Sequence, residues 1–428
     1  MIHHILKQIW AQRKYNVWIF VELLLVFILM QFIVAYGFVI LHNRSIPGGF
    51  DETNTFVVTY GTYPPRTSRY SAEDADSVKA LENLNKIVSK VQQYKNVEIA
   101  ALTYGGWGTL PYSGSSYGRN IMRDSVEMGT QVKRISSGDY FRIFRITSAK
   151  DNTWQRPANI DLNQDNAILI TRSVAKRLFG DAAAIGQTVK MSIDRDKDKL
   201  KEYIVADVLN DQKRFDYILP TDAVFIAASP LTVNNIMSFN ICLRVLDGTP
   251  KQQFIRDFQK DMKGEMQIGN FYLKHVKSFE NEKRNIEHTF GVTNDIRIRK
   301  IMAVFLSFCM ALGIIGTFWF RNQTRRSEIG LRMAMGSTRR KLQKQFVLEA
   351  IIMFTATTIP ALIIYYFIEV ANGYHSDTQM YIVQNKLLLF AITGPITYIL
   401  LGIIVGLSAW IPAHRASKTH PVDALRDE

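Results

Sequence analysis

Hydrophobic and polar positions along this 428-residue chain fall into two unlike kinds of material. Four runs, at 18–41, 301–320, 346–368 and 387–411, are almost wholly apolar. Each supplies the roughly 20 residues that a helix needs to cross a hydrocarbon core. No water is present there to satisfy open backbone groups, so the runs predict four transmembrane helices. Glu22 and Glu349 are the only acidic or basic residues inside them. Both stand near span ends, where snorkelling or pairing with a nearby cation accounts for them more simply than an intramembrane relay. Pro360 falls inside the third run and predicts a kink. The first run is too long for a secretory signal and no A-x-A-like cleavage site follows it, so it is expected to stay as an anchor.

Between the first two runs the periodicity changes. From 71 to 94 apolar residues recur at helical spacing (Ala75, Val78, Leu81, Leu84, Ile87 or Val88, Val91), with Ser71 as the expected N-cap. The stretch 166–180 reads as a strand (Ile168, Leu169, Ile170), a Thr171 cap, a helix through Phe179 and a Gly180 stop. Alternating, strand-like runs follow at 188–193, 203–208, 223–227, 241–245 and 271–276. Thr249 and Pro250 open a further helix, with Phe254, Phe258 and Met262 on one face. The fold class is therefore membrane α-helical, with a large α+β domain inserted between transmembrane helices 1 and 2 and long enough to bury its own core.

Charge orients these pieces. Lys7, Arg13 and Lys14 precede the first run with no acidic residue, which places the N-terminus in the cytoplasm and residues 42–300 outside. The loop after the second run carries Arg321, Arg325, Arg326, Arg332, Arg339, Arg340, Lys341 and Lys344 against Glu328 alone, and is expected inside. The tail, with Arg415, Lys418 and Arg426, fits an inside C-terminus, and the loop 369–386 fits the outside. The three inside segments hold 14 basic and 4 acidic residues, and so account for most of the net charge of +14. This basicity follows the membrane boundaries rather than a folded face with interleaved aromatics, so nucleic-acid binding is not expected.

Candidate chemistry is sparse. Cys242 lies in the polar middle and Cys309 in the second run, so neither a disulfide between them nor a Cys-based zinc site is expected. The eight histidines are scattered apart from His3 and His4, and there is no H-E-x-x-H, no nucleophile elbow and no G-x-x-x-x-G-K-[ST]. Gly105, Gly106, Gly108, Gly114 and Gly118, mixed with Trp107, Tyr112 and Tyr117, do not match a phosphate-binding loop and read as a solvent loop. No catalytic, cofactor-binding or metal-binding residue is predicted.

The segment 325–350, RRSEIGLRMAMGSTRRKLQKQFVLEA, has an informative layout. Ile329 and Met333 give a short helix with an apolar side, Gly336 interrupts it, and Ser337 or Thr338 can cap a second helix that runs into the third span. Here the chain resembles the MacB/FtsX-like family of ABC transporter permeases, through Arg325, Arg326, Glu328, Ile329, Gly330, Ala334, Gly336, Phe346 and Glu349. The ending PAHRASKTHPVDALRDE resembles the family's ending through Pro412, Arg415, Ala416, Pro421, Ala424, Leu425 and Arg426. SSGDYFRIF, ITRSVAKRLFG, AIGQTV and YIVADVLND resemble its extracytoplasmic domain, and 43–134 is the least similar part.

The resemblance implies an ATPase-less permease subunit, working with a second copy or a paralogue as a dimer. Its elbow at 321–345 would dock on a separate ABC ATPase through Arg325, Arg326, Glu328, Ile329, Gly330, Arg332 and Gly336, and ATP would be bound by that partner. Some members fuse an ATPase domain to the N-terminus, and none is read in this chain. The family works by mechanotransmission: ATP-driven motion of the outer domain serves efflux, lipoprotein extraction or hydrolase control. A periplasmic or outer-membrane partner and membrane lipid complete the expected contacts. A membrane-anchored extracytoplasmic sensor or scaffold is the alternative, favoured by a neighbouring kinase gene where an ATPase gene favours the permease.

These readings divide the chain into a cytoplasmic N-terminus (1–17), span one (18–41), the extracytoplasmic domain (42–300), span two (301–320), the cytoplasmic elbow (321–345), span three (346–368), a short external loop (369–386), span four (387–411) and a cytoplasmic tail (412–428). Protease added outside spheroplasts is expected to cut within the outer domain and to leave 321–344 intact. Cleavage of that loop from outside would refute the orientation.

Overall fold

The computed structural model describes residues 13–105, 110, 111, 117–192, 200–324, 331, 333–335, 337–371 and 386–416. In chain order the elements are α1 (Arg13–Ser45), β1 (Thr55–Thr62), α2 (Ser77–Gln92), β2 (Val97–Tyr104), β3 (Gly118–Arg123), β4 (Val126–Ile135), α3 (Asp139–Phe144), β5 (Ala167–Thr171), α4 (Arg172–Phe179) and β6 (Thr188–Ser192). There follow β7 (Leu200–Leu209), β8 (Ala223–Ala227), β9 (Phe239–Val245), α5 (Lys251–Glu265), β10 (Phe271–Ser278), α6 (Phe279–Thr289), α7 (Val292–Thr324), α8 (Arg339–Ala371) and α9 (Lys386–Ala416). The chain divides into two compact units, 1–43 with 293–428, and 44–292.

Four helices are long and apolar enough to cross a membrane: Val17–Ser45, Val292–Arg321, Arg339–Glu369 and Leu387–Ala416. They outrun the apolar stretches because the helical hydrogen-bond ladder continues past the hydrocarbon into the polar interface. Their shared core holds Ile19, Leu23 and Phe27 of α1, Met310, Ile314 and Phe318 of α7, Met353 and Phe354 of α8, and Leu401 and Val405 of α9. A chain of polar contacts lies beside this core. Gln31, fully buried, donates to the Thr393 hydroxyl at 2.9 Å, and Thr393 donates in turn to the Leu389 carbonyl at 2.8 Å.

The inserted unit contains two sheets. The first has the order β10–β1–β9–β2 and is antiparallel throughout, with Val58 opposite Val276 and Val57 opposite Cys242. Phe56, Val58 and Tyr60 of β1 and Ile241, Leu243 and Val245 of β9 pack on Leu84, Ile87 and Val91 of α2 and on Phe254, Phe258 and Met262 of α5. Burying each large apolar side chain stabilises by about 1.5–3 kcal/mol. On the other face, Tyr140, Phe141, Ile143 and Phe144 of α3 are buried where α3 meets β2 and β9.

Both edges of this sheet are blunted. The outer edge of β2 is capped by side chains, with the Gln92 Oε1 accepting from the Ala100 N–H at 2.5 Å and Ser136 donating to the Leu102 carbonyl at 2.7 Å. Along β10 the register shifts at Lys274, an exposed bulge of the kind that discourages pairing. The second sheet is a closed barrel, β3–β4–β8–β5–β7–β6, with parallel pairs β4/β8 and β5/β7. Ile121, Val132, Ile168, Ile170, Val189, Val205 and Val224 fill it together with Val174, Leu178 and Phe179 of α4.

Local chemistry differs from the sequence expectation at three caps. Ser71 accepts from the Asp74 N–H and caps a short 3-10 turn, while α2 begins later, capped by Asp76, which leaves Val78 exposed. The Thr171 hydroxyl accepts from the Ala223 N–H across the barrel, and Asp211 caps α4 instead by accepting from the Ser173 N–H at 2.8 Å. Thr249 donates backwards to the Leu246 carbonyl, and no side chain caps α5. Gly106, Trp107, Gly108, Tyr112 and Gly114 of the glycine-rich stretch, and residues 193–199, lie outside the described residues.

Lys133 in β4 is buried with a single hydrogen bond, to the Gln212 Oε1 at 3.2 Å, and lies 5.5 Å from the centre of the Phe225 ring. Burial, aided by the nearby Arg214 guanidinium, pushes its pKa down to about 8 from 10.5. The unfolded chain therefore holds this proton more tightly, and stability rises with pH between about 8 and 10.5. Below pH 8 the penalty is constant at about 3 kcal/mol. Lys133→Met is expected to stabilise the full-length chain by about 2 kcal/mol at pH 7, after the lost hydrogen bond is deducted. The gain should shrink as pH rises through that window, as followed by unfolding in detergent.

Candidate functional site

Two connections flank the apolar helices: the strap that leaves α1, and the elbow between α7 and α8. The strap is the run 46–52. Ile46 offers its carbonyl to the Lys213 ammonium at 2.6 Å, and the Lys213 N–H donates to the Gly48 carbonyl at 2.9 Å. Gly49 follows at φ +79°, and a Cβ there would stand 2.0 Å from the Asp211 carbonyl oxygen, so only glycine fits. These contacts fix the strap to the segment after β7.

Two further attachments use charge. Arg244, buried in β9, donates through Nε to the Ile143 carbonyl at 2.7 Å, through Nη1 to the Asp51 carboxylate at 3.0 Å and through Nη2 to the Asp51 carbonyl at 2.8 Å. The Asp51 N–H donates to the Phe144 carbonyl at 2.8 Å. Burial alone would raise the Asp51 pKa, but the Thr53 hydroxyl and the Arg244 guanidinium outweigh it and hold the carboxyl below its usual value. Lys283 of α6 bonds Glu52 at 2.6 Å and also the Asp216 carboxylate. Arg44 reaches Glu287 of the same helix at 3.4 Å, and Lys251 reaches Glu280 at 2.5 Å.

Arg44, Glu52, Asp216, Glu280, Lys283 and Glu287 line an open cleft of about 340 Å³. Burial raises the Glu52 pKa, and Lys283 only partly offsets this. As pH falls, Glu52 takes a proton before Asp51 does, so the contact with α6 loosens first while the Arg244 clamp holds. Rings back the same junction: Phe50 meets Phe279 at 6.5 Å between centres, and Phe279 meets Phe144 at 5.3 Å. None of this was signalled by motif. Asp51, Glu52, Lys213, Arg244 and Lys283 are scattered in sequence, and only the fold brings them together.

The elbow is described in part. Arg325, Arg326, Glu328, Ile329, Gly330, Arg332 and Gly336 lie outside the described residues, as do Pro421, Ala424, Leu425 and Arg426 of the ending. Its flanks are held by side-chain contacts. Arg321, counted among the loop cations from sequence, is buried and forms an ion pair with Glu349 of α8, with Nη1 3.7 Å from the Met353 sulfur. Glu349 thus has its cation. Glu22 makes no ion pair among the described residues; its carboxylate lies against Gly313, where a Cβ would meet Oε1 at 2.0 Å.

Thr338 accepts from the Lys341 N–H at 3.3 Å at the start of α8. Met333 packs on Leu342, Phe346 and Ala413. Leu331 and Met335 stand four residues apart and are 52% and 72% exposed. No group of His, Cys, Asp and Glu that could hold a metal is present among the described residues.

Two family models match the chain: the FtsX-like permease C-terminal model over residues 300–421 and the MacB-like periplasmic core domain model over residues 25–260. The macrolide export ATP-binding/permease protein MacB of Vibrio parahaemolyticus is 24% identical over 67% of this chain and 41% of its own length. The probable syringafactin export ATP-binding/permease protein SyfD of Pseudomonas syringae pv. tomato is 22% identical over 70% of this chain and 42% of its own. The chain spans less than half the length of these relatives. The periplasmic region of MacB from Actinobacillus actinomycetemcomitans aligns with a TM-score of 0.32 at 11% identity, over 56% of this chain and 94% of that one.

The junction yields a graded expectation. Lys283→Met leaves Glu52 and Asp216 without their cation and is expected to destabilise the protein by about 2 kcal/mol, less than a fully buried pair because the cleft admits water. Arg44→Ala, which removes an exposed pair, should cost below about 1 kcal/mol. Chemical unfolding of the two full-length variants checks the order, and equal effects would remove the strap's special role.

Proposed function

From a chain that belongs to the MacB/FtsX-like family of ABC transporter permeases, we propose a permease subunit that carries force from a separate ATPase to its own extracytoplasmic domain. The chain is a multi-pass membrane protein of that family. In the proposed arrangement it lies in the cell (inner) membrane with both termini in the cytoplasm, acts as a homodimer or pairs with a paralogue, and leaves ATP binding and hydrolysis to the partner.

The observation that carries the reading is the anchored elbow. Its start is held by the Arg321–Glu349 pair and its middle by Met333 against Leu342 and Phe346, while Leu331 and Met335 are exposed. Apolar side chains displayed four residues apart suit docking into a groove of a partner. Arg325, Arg326, Glu328, Ile329, Gly330, Arg332 and Gly336 flank them in sequence and are proposed to complete the contact.

The strap supports the mechanical half of the reading. A push on α1 reaches residues 46–52, and these are bonded at once to the segment after β7, to β9 and to α6. Motion of this kind suits efflux, lipoprotein extraction or hydrolase control, each of which uses the outer domain as the working part.

A pull-down of tagged full-length chain in mild detergent tests the docking. Wild type is expected to bring down an ABC ATPase, and a Glu328→Lys/Arg332→Glu variant to lose it while still inserting in the membrane. Recovery of a kinase and no ATPase with wild type would move the sensor or scaffold reading ahead. Undiminished ATPase recovery with the variant would remove the elbow as the contact.

A further inference from the structure

Cations close to a span on its outer side work against the orientation that inner cations enforce, so such positions are depleted in Lys and Arg. The start of α7 departs from this. Arg297, Arg299 and Lys300 fall within four consecutive residues immediately before the apolar run 301–320, on the side that joins the extracytoplasmic domain. None of the three forms an ion pair among the described residues, and Asp295, one turn before Arg299, does not pair with it. Three cations without an ion pair, gathered at the start of an apolar helix, leave room for an anion from outside the chain.

Two features show what kind. Arg299 is held by α1, its guanidinium 4.0 Å above the centre of the Tyr36 ring. This restrains the side chain in advance and lowers the ordering cost of binding. Arg297 and Lys300 are exposed. Arg297 also begins a stripe on one face of the helix, at spacings of four, four and three, through Ile301, Phe305 and Phe308, each of which is 62% exposed. A cationic cluster therefore sits at the end of an apolar stripe that runs into the membrane.

We propose that this face of α7 binds an anionic phospholipid of the outer leaflet, with the phosphate among Arg297, Arg299 and Lys300 and an acyl chain along Ile301, Phe305 and Phe308. The assignment rests on the orientation given above. A zwitterionic headgroup brings an ammonium towards three cations and gains less. A soluble anion satisfies the charges but leaves the stripe unused.

The test uses full-length protein in mild detergent, titrated with phosphatidylglycerol or phosphatidylcholine of matched acyl chains and read by native mass spectrometry. A cation near an anionic surface contributes roughly fivefold in affinity. The first phosphatidylglycerol should then bind at least about tenfold more tightly than phosphatidylcholine, and the Arg297→Gln/Arg299→Gln/Lys300→Gln variant should lose that preference. Phe305→Ala/Phe308→Ala should weaken both lipids alike.

If the triple variant does not fold, Lys300→Gln alone, at an exposed position, should lower the preference about fivefold. Equal affinity of wild type for both lipids overturns the proposal, as does a preference that survives the triple variant. Labelling of Asn294→Cys by a membrane-impermeant maleimide in spheroplasts separates the two layers of the argument. A labelled chain without lipid preference sinks the lipid site alone, whereas an unlabelled chain sinks the orientation and the outer-leaflet assignment with it.

Discussion

Arg244 stands near the end of a central sheet strand, buried, and its charge is answered by a carboxylate of the strap that leaves the first membrane helix. A guanidinium withdrawn from water without such an answer is too costly to persist. Every other attachment of the strap follows in register: once Asp51 is fixed, Glu52 faces Lys283 and Gly49 lies on the Asp211 carbonyl. The two backbone carbonyls that Arg244 also binds, Ile143 and Asp51, draw α3 to the same point. The strap is thereby held within the inserted unit at several points along its length.

Much of this architecture was legible in the sequence because the physics there is one-dimensional. Spans follow from the length of apolar runs, and the α5 face from Phe254, Phe258 and Met262 at helical spacing. The sequence β5–α4 was readable for the same reason, with Gly180 at φ +61° where the helix stops. Strands β1 to β4 were not recognised. In β1 the run TFVVTYGT is buried on both faces, which erases the alternation that marks a half-buried strand. The caps were misjudged because Thr171 and Ser71 had better partners outside their own helices. The strap was invisible, since its energetics lie in pairs such as Asp51–Arg244 that no periodicity announces.

The elbow shows the opposite balance. Its motif was the most specific signal in the sequence, while the described structure speaks for its supports. Arg321 belongs to these supports: a residue that looked like one more topological cation is buried and spent on Glu349, which lets an acidic residue stand inside the third span. One pair explains both the odd glutamate and the loop's fixed base.

The pairing of β1 with β10 sets an order on biosynthesis. These strands bracket the insert, one following α1 and the other preceding α7, yet they are neighbours in the sheet. During synthesis β1 waits without that partner until the last strand has been made, so the sheet closes only after nearly the whole insert is complete. Closure then brings the two chain ends of the domain together. The insert is thus stapled shut by its own first and last strands.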